Sequence, residues 1–118
     1  MKHRQGAKSL SRRSPARRAL LRTMTSQLLR HGALVTTRVK AKALLSFAEP
    51  LITKSKRELT LHQRRALLQQ LNSQEDLVAL LAAGRAAGER SSGFIRANRL
   101  PRRQGDAAQL VRIELIDR

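Results

Sequence analysis

The first carboxylate in the chain is Glu49. Everything before it is uncharged or cationic, and Lys2, Arg4, Lys8, Arg12, Arg13, Arg17, Arg18 and Arg22 crowd its first part. Over the full 118 residues, 25 lysines and arginines stand against 8 acids, a formal net charge of +17. Repulsion on that scale opposes compaction until something outside the chain neutralises it, and the natural neutraliser is a polyanion. Hydrophobic residues make up 41%, too many for a purely basic tail. The expectation is therefore a folded body with a looser basic extension. A chain of this length has room for one core. Residues 1–13, polar and basic, contain nothing that can pack, so the boundary is drawn there and 14–118 is read as a single domain.

Several chemistries are excluded early. With no cysteine there is no disulfide framework, thiolate metal site or Cys nucleophile. His3, His31 and His62 share no i, i+4 spacing and sit in no carboxylate cluster, so no metal or other cofactor is expected. No nucleophile-elbow or phosphate-cradling glycine pattern occurs, which argues against an enzyme and against a small-molecule substrate. Phe47 and Phe94 are the only aromatics, too few for a base-stacking platform. The longest apolar stretch, Leu77 to Gly84, falls far short of the ~20 residues needed to cross a bilayer, so no membrane partner is expected. No secretory signal is legible, although Met1 to Arg30 has the Arg-rich, acid-free composition of a mitochondrial transit peptide.

Hydrophobic spacing supplies the elements. Ser14 before Pro15 is a strong helix start, with the serine as cap. Leu20, Leu21, Met24 and Leu28 then share one helical face while Arg18, Arg22 and Arg30 fall outside it, one face for a core and another for anions. Gly32 is a left-handed stop, with His31 placed at the helix's carboxyl end. Ala33 to Thr37 reads as a brief strand or an extended linker, and either threonine is a candidate cap for the helix that follows. That helix lines up Ala41, Leu44, Leu45, Ala48, Leu51 and Ile52, and Pro50 should kink or split it. Thr60 caps a third helix that stops at Asn72. Ser73 opens a fourth, ended by Gly84 and Gly88, with a loop over 84–93. Phe94 to Leu100 and Leu110 to Ile116 read as two strands joined by a basic turn. The fold class is therefore α+β, about four helices with a small mixed sheet and a basic N-terminal extension.

Cations at this density, without compensating acids, bind nucleic acid by displacing counterions from phosphates, with little sequence reading. The prevalence of arginine favours forked phosphate contacts. Arg96, Arg99, Arg102 and Arg103 make a second cluster on the hairpin, and two separate basic elements suit folded RNA better than one groove of duplex DNA. Lys54, Lys56, Arg57, Arg64 and Arg65 form a third, weaker group, as well explained by a solvated helix surface. Thr36 and Thr37 are possible phosphate donors, equally explained by strand preference and capping.

The opening Met1-Lys-His-Arg, Leu10 with Arg12, and the Leu28-Leu29-Arg30-His31 helix ending resemble the bacterial-type large-subunit ribosomal protein L-seventeen family. So do Thr36-Thr37-Arg38-Val39-Lys40-Ala41-Lys42 and Glu49-Pro50-Leu51-Ile52-Thr53. Arg64-Arg65, Gly93-Phe94-Ile95-Arg96, Arg102-Arg103, Gly105-Asp106-Ala107-Ala108 and Ile113-Glu114-Leu115 follow in the family's order. The resemblance implies a structural, non-enzymatic component of the large subunit, bound to its rRNA near the exit side of the peptide tunnel and beside neighbouring large-subunit proteins. The rRNA-binding residues it points to, together with the charge clusters, are Lys2, His3, Arg4, Lys8, Arg12, Arg13, Arg17, Arg18, Arg22, Thr36, Thr37, Lys40, Arg96, Arg99, Arg102 and Arg103. Because the resemblance begins at Met1, bacterial cytoplasm is expected ahead of a mitochondrial or plastid ribosome. Two other readings compete: a helix-turn-helix DNA-binding module, which calls for a symmetric dimer on a palindrome, and a membrane-active cationic helix over Ser14 to Arg30.

Overall fold

The computed structural model describes Leu10 and residues 12–116. Lys2, His3, Arg4 and Lys8, and with them most of the expected extension, lie outside the described residues. Helix α1 spans Ser14–His31 and strand β1 Ala33–Thr37, followed by α2 (Arg38–Ser55), α3 (Leu61–Gln69) and α4 (Gln74–Ala87). Strands β2 (Ile95–Arg99) and β3 (Leu110–Leu115) complete the α+β fold.

The sheet is antiparallel throughout, where a mixed one was expected. Its order is β1-β3-β2, so the last strand of the hairpin inserts beside the first strand of the chain and opposes both neighbours. Strand alternation puts Leu34, Val111, Ile113 and Leu115 on one face, against which α1 and α2 pack. The core there is built on Leu28, Leu44, Ile52, Leu80, Phe94 and Ile113, all buried. The opposite face carries Val35, Arg112 and Asn98 in one cross-strand row and Ala33, Glu114 and Arg96 in the next.

Helix boundaries follow the local chemistry, with instructive exceptions. Gly32 adopts φ 79° and donates its amide to Leu28 O at 2.8 Å, the left-handed stop that the sequence predicts. At the other end, Arg13 rather than Ser14 holds the N-cap position. Arg13 O already accepts from Arg17 N at 2.9 Å, so the first turn closes one residue early. Ser14 Oγ then accepts from the Arg17 guanidinium instead of capping an amide. In α3, Thr60 forms a complete capping box: its hydroxyl accepts from Gln63 N and Gln63 Oε1 accepts from Thr60 N. That helix ends at Gln69, short of Asn72, because the amides of Gln70 and Leu71 turn back to the carbonyls of Leu67 and Leu68.

Pro50 neither splits nor ends α2, which runs through it as one 18-residue helix. Pro50 and Ser46, whose carbonyl loses its helical partner, are both exposed, so the missing bond leaves no polar group buried. Gly84, expected as a stop, lies inside α4 and is buried. A Cβ there would stand 2.5 Å from Ser55 Oγ and 3.2 Å from the Ser55 backbone, so this glycine lets α4 approach α2. Helix α4 continues to Gly88.

Two carboxylates tie the layers together. Glu49 on α2 accepts from Ile95 N at 3.0 Å and Phe94 N at 3.3 Å, fixing the start of β2 to the helical layer. Asp76, wholly buried in the first turn of α4, accepts from Ser26 Oγ at 2.8 Å and Arg30 Nε at 3.0 Å, both on α1.

Candidate nucleic-acid interface

The second half of α1 makes most of the contact with the core, and Leu20 packs against it from the first half. The helix's buried residues are Met24, Thr25, Leu28 and Leu29. Seven residues make nearly two helical turns, so residues seven apart stand in line along the axis. Arg17 precedes Met24 by that interval, Arg18 precedes Thr25, and Arg22 precedes Leu29. Towards the N-terminus the core-facing stripe of α1 thus mixes guanidinia with the part-buried Leu20 and Leu21. Arg17, Arg18 and Arg22 therefore lie along the core stripe, where one face for a core and another for anions was expected. No acid sits in the first turn. The guanidinium groups of Arg13, Arg18 and Arg22 meet no hydrogen-bonding or ionic partner among the described residues, while those of Arg12 and Arg17 reach Leu10 O and Ser14 Oγ.

Arg30, on the same helix, has a different task. It bonds Asp76 and lies 3.5 Å from Glu75, which makes it a strut between α1 and α4. Sequence spacing groups it with the other α1 arginines; only the fold brings those acids to it.

The second cluster gathers at the sheet. Thr36, Val111 and Arg99 form one cross-strand row, and Thr37 follows Thr36 into the N-cap position of α2, where its hydroxyl makes no capping bond. Both threonines are half-buried, as is Lys40 in the first turn of α2. Arg96 lies 3.5 Å from Glu114, and Arg112 flanks the same carboxylate at 3.7 Å. Arg112 was not among the candidate residues. Its alternation with Glu114 is visible in the sequence, but its place beside Arg96 needs the strand register.

The hairpin connection is a closed unit. Asp106 accepts from the Arg103 fork and from Ala108 N, Arg103 N donates to Ala108 O, and Arg102 Nη1 donates to Ala107 O. Arg103 and Ala108 hold the Asp106 carboxyl at about 2, below its usual 3.8. Much of Arg103's charge is therefore met within the loop, and both guanidinia remain exposed with fixed positions. Of the weaker third group, Lys56 is structural: it donates to Arg90 O and stands 5.3 Å over the Phe94 ring. No group of three potential metal ligands, and no helix long and apolar enough to cross a membrane, occurs among the described residues.

The model of the family described as ribosomal protein L17 matches residues 20–116. The chain belongs to that family. Among L17 relatives, the large ribosomal subunit protein bL17 of Gemmatimonas aurantiaca is 41% identical over 117 residues, covering 98% of both chains. Those of Flavobacterium johnsoniae and Salinibacter ruber are 41% and 36% identical over 99% of this chain. This L17 chain spans 72% of the Flavobacterium protein's length and 59% of the Salinibacter protein's. The family is one of ribosomal proteins, not of enzymes.

Proposed function

We propose that this chain is a structural constituent of the large ribosomal subunit that binds and orders large-subunit rRNA in the bacterial cytoplasm, near the exit side of the peptide tunnel. The tunnel position comes from the family resemblance, and the large-subunit role from the names of its bacterial relatives. Support for RNA binding comes from one observation above all: towards the N-terminus of α1 the line of its buried residues is taken up by Arg17, Arg18 and Arg22. A stripe aimed the same way as the core, but made of guanidinia, calls for an anionic partner filling the space beyond the protein's own packing.

On this reading residues 1–13 are a basic RNA-binding extension of a single domain, 14–118. Lys2, His3, Arg4, Lys8, Arg12 and Arg13 add their charge to that of Arg17, Arg18 and Arg22 on α1, and Thr36, Thr37, Lys40, Arg96, Arg99, Arg102 and Arg103 make a second area of contact. The partners are rRNA and neighbouring large-subunit proteins. The test is the salt dependence of binding to purified large-subunit rRNA. Replacing Arg12, Arg13, Arg17 and Arg18 together by glutamine should weaken binding and flatten the slope by up to about 0.7–0.9 per lost phosphate contact. An unchanged slope would remove α1 from the interface. Selection of a short palindromic duplex over rRNA would assign the protein to DNA instead.

A further inference from the structure

We propose that the connection between α2 and α3 is a separate RNA site, one that seats a single-stranded segment with a nucleotide unstacked. The proposal rests on the RNA-binding reading above and adds a place and a ligand class to it.

Residues 56–60 run between two clefts. The first, about 440 Å3, gathers Arg57 from the connection, Arg64 from α3 and Arg85 from the last turn of α4. All three are exposed, and none of their guanidinium groups has a hydrogen-bonding or ionic partner among the described residues. Lys56 lines the same cleft, occupied by its bond to Arg90 O, and Glu58 is the one acid there. Three elements thus bring guanidinia together against a single carboxylate, which costs repulsion in the free protein and is relieved by a phosphodiester. Arg85 lies 28 positions from Arg57, so linear charge runs do not reveal the convergence.

The second cleft, about 530 Å3, has aliphatic walls from Leu51, Leu59, Ala66 and Leu67. Gln69 and Gln70 supply amides, Lys54 and Arg57 supply charge, and no carboxylate lines it. Arg57 and Leu59 border both clefts. A phosphate alone has no use for aliphatic walls, and an acidic protein surface gains little from a second cavity beside the cations. A nucleotide matches the pair: apolar base faces for the leucines, a polar edge for the glutamines, and phosphates for the arginines. Duplex RNA keeps its bases stacked, so a single-stranded segment is the ligand.

The experiment uses the full chain with a single-stranded RNA decamer and with the same sequence as a duplex. Arg64→Gln with Arg85→Gln should lower the single-strand salt slope by about 1.4, roughly 0.7 for each lost contact. Ala66→Phe, which fills the second cleft from an exposed position, should weaken single-strand binding several-fold with the slope and the duplex affinity unchanged. A decamer carrying 4-thiouridine should crosslink to residues 57–70 of the unaltered protein, a readout independent of any variant's folding. Wild-type slope in the double variant, or no crosslink in that segment, overturns the site. So does an unchanged slope accompanied by failure to join the assembled subunit, which would assign the cleft to an acidic protein. If the α1 arginines still govern binding in those cases, the RNA-binding reading stands; if the unaltered chain shows no salt-dependent RNA binding, that broader reading is the one that fails.

Discussion

Glu49→Gln asks how much of the fold hangs on one carboxylate. Glu49 is the first acid in the chain, and its two oxygens accept from the amides of Ile95, the first residue of β2, and of Phe94 just before it. Glutamine keeps the shape and one acceptor but turns an NH2 group towards the second amide. A hydrogen bond to an ionised group contributes about 1.5–3 kcal/mol. The bond at 3.3 Å is the weaker of the two, so the substitution loses roughly one good charge-assisted bond, about 1.5–3 kcal/mol. For a domain of this size a kcal/mol moves Tm by about 4 °C, so the expected fall is about 6–12 °C. Circular dichroism melting of the RNA-free protein gives the shift, and amide exchange at Phe94 and Ile95 shows where it arises. A Tm within about 1 °C of wild type, with those amides equally protected, would refute the claim that Glu49 holds the hairpin to the helices.

Leu44 is wholly buried, and Leu44→Ala should cost about 2–5 kcal/mol in urea unfolding, with Leu45→Ala costing less because Leu45 is only partly buried. Gly84→Ala gains about 1 kcal/mol of helix propensity but forces α4 off Ser55, an overpacking cost of about 1–3 kcal/mol, so net destabilisation is expected. A more stable Gly84→Ala variant would show that the close approach is dispensable. The Asp106 clamp has a folded value of about 2 against 3.8 for the free carboxyl, a depression that stabilises the loop above about pH 4. Protection of the Ala108 amide should therefore fall as pH drops from about 4 to about 2, and Asp106→Asn should lack that acid step. Acid-independent exchange at Ala108 in the unaltered protein would contradict the clamp.

Features governed by nearby residues were legible in the sequence. Gly32 ends α1, Thr60 and Ser73 cap α3 and α4, and the two terminal strands form a hairpin because each depends on the backbone chemistry of a few adjacent positions. What escaped depends on residues distant in sequence. Gly84 looks like a helix stop until Ser55 is placed against it, and Arg30 looks like one more phosphate ligand until Asp76, 46 positions on, is folded beneath it. The sheet's direction rests on β3 inserting between β1 and β2, which no spacing within a strand dictates. For the candidate interface, the clusters were readable as charge, but not their division of labour. Arg103 is already matched by Asp106, Arg96 shares Glu114 with Arg112, and Arg17, Arg18 and Arg22 extend the core stripe rather than oppose it.

The most direct test of the central claim is sedimentation of the native protein from a cell lysate, with and without ribonuclease. The account requires it to travel with the large ribosomal subunit and to leave that position when the RNA is digested. Recovery of most of the protein as a free, folded species at the top of the untreated gradient would contradict it.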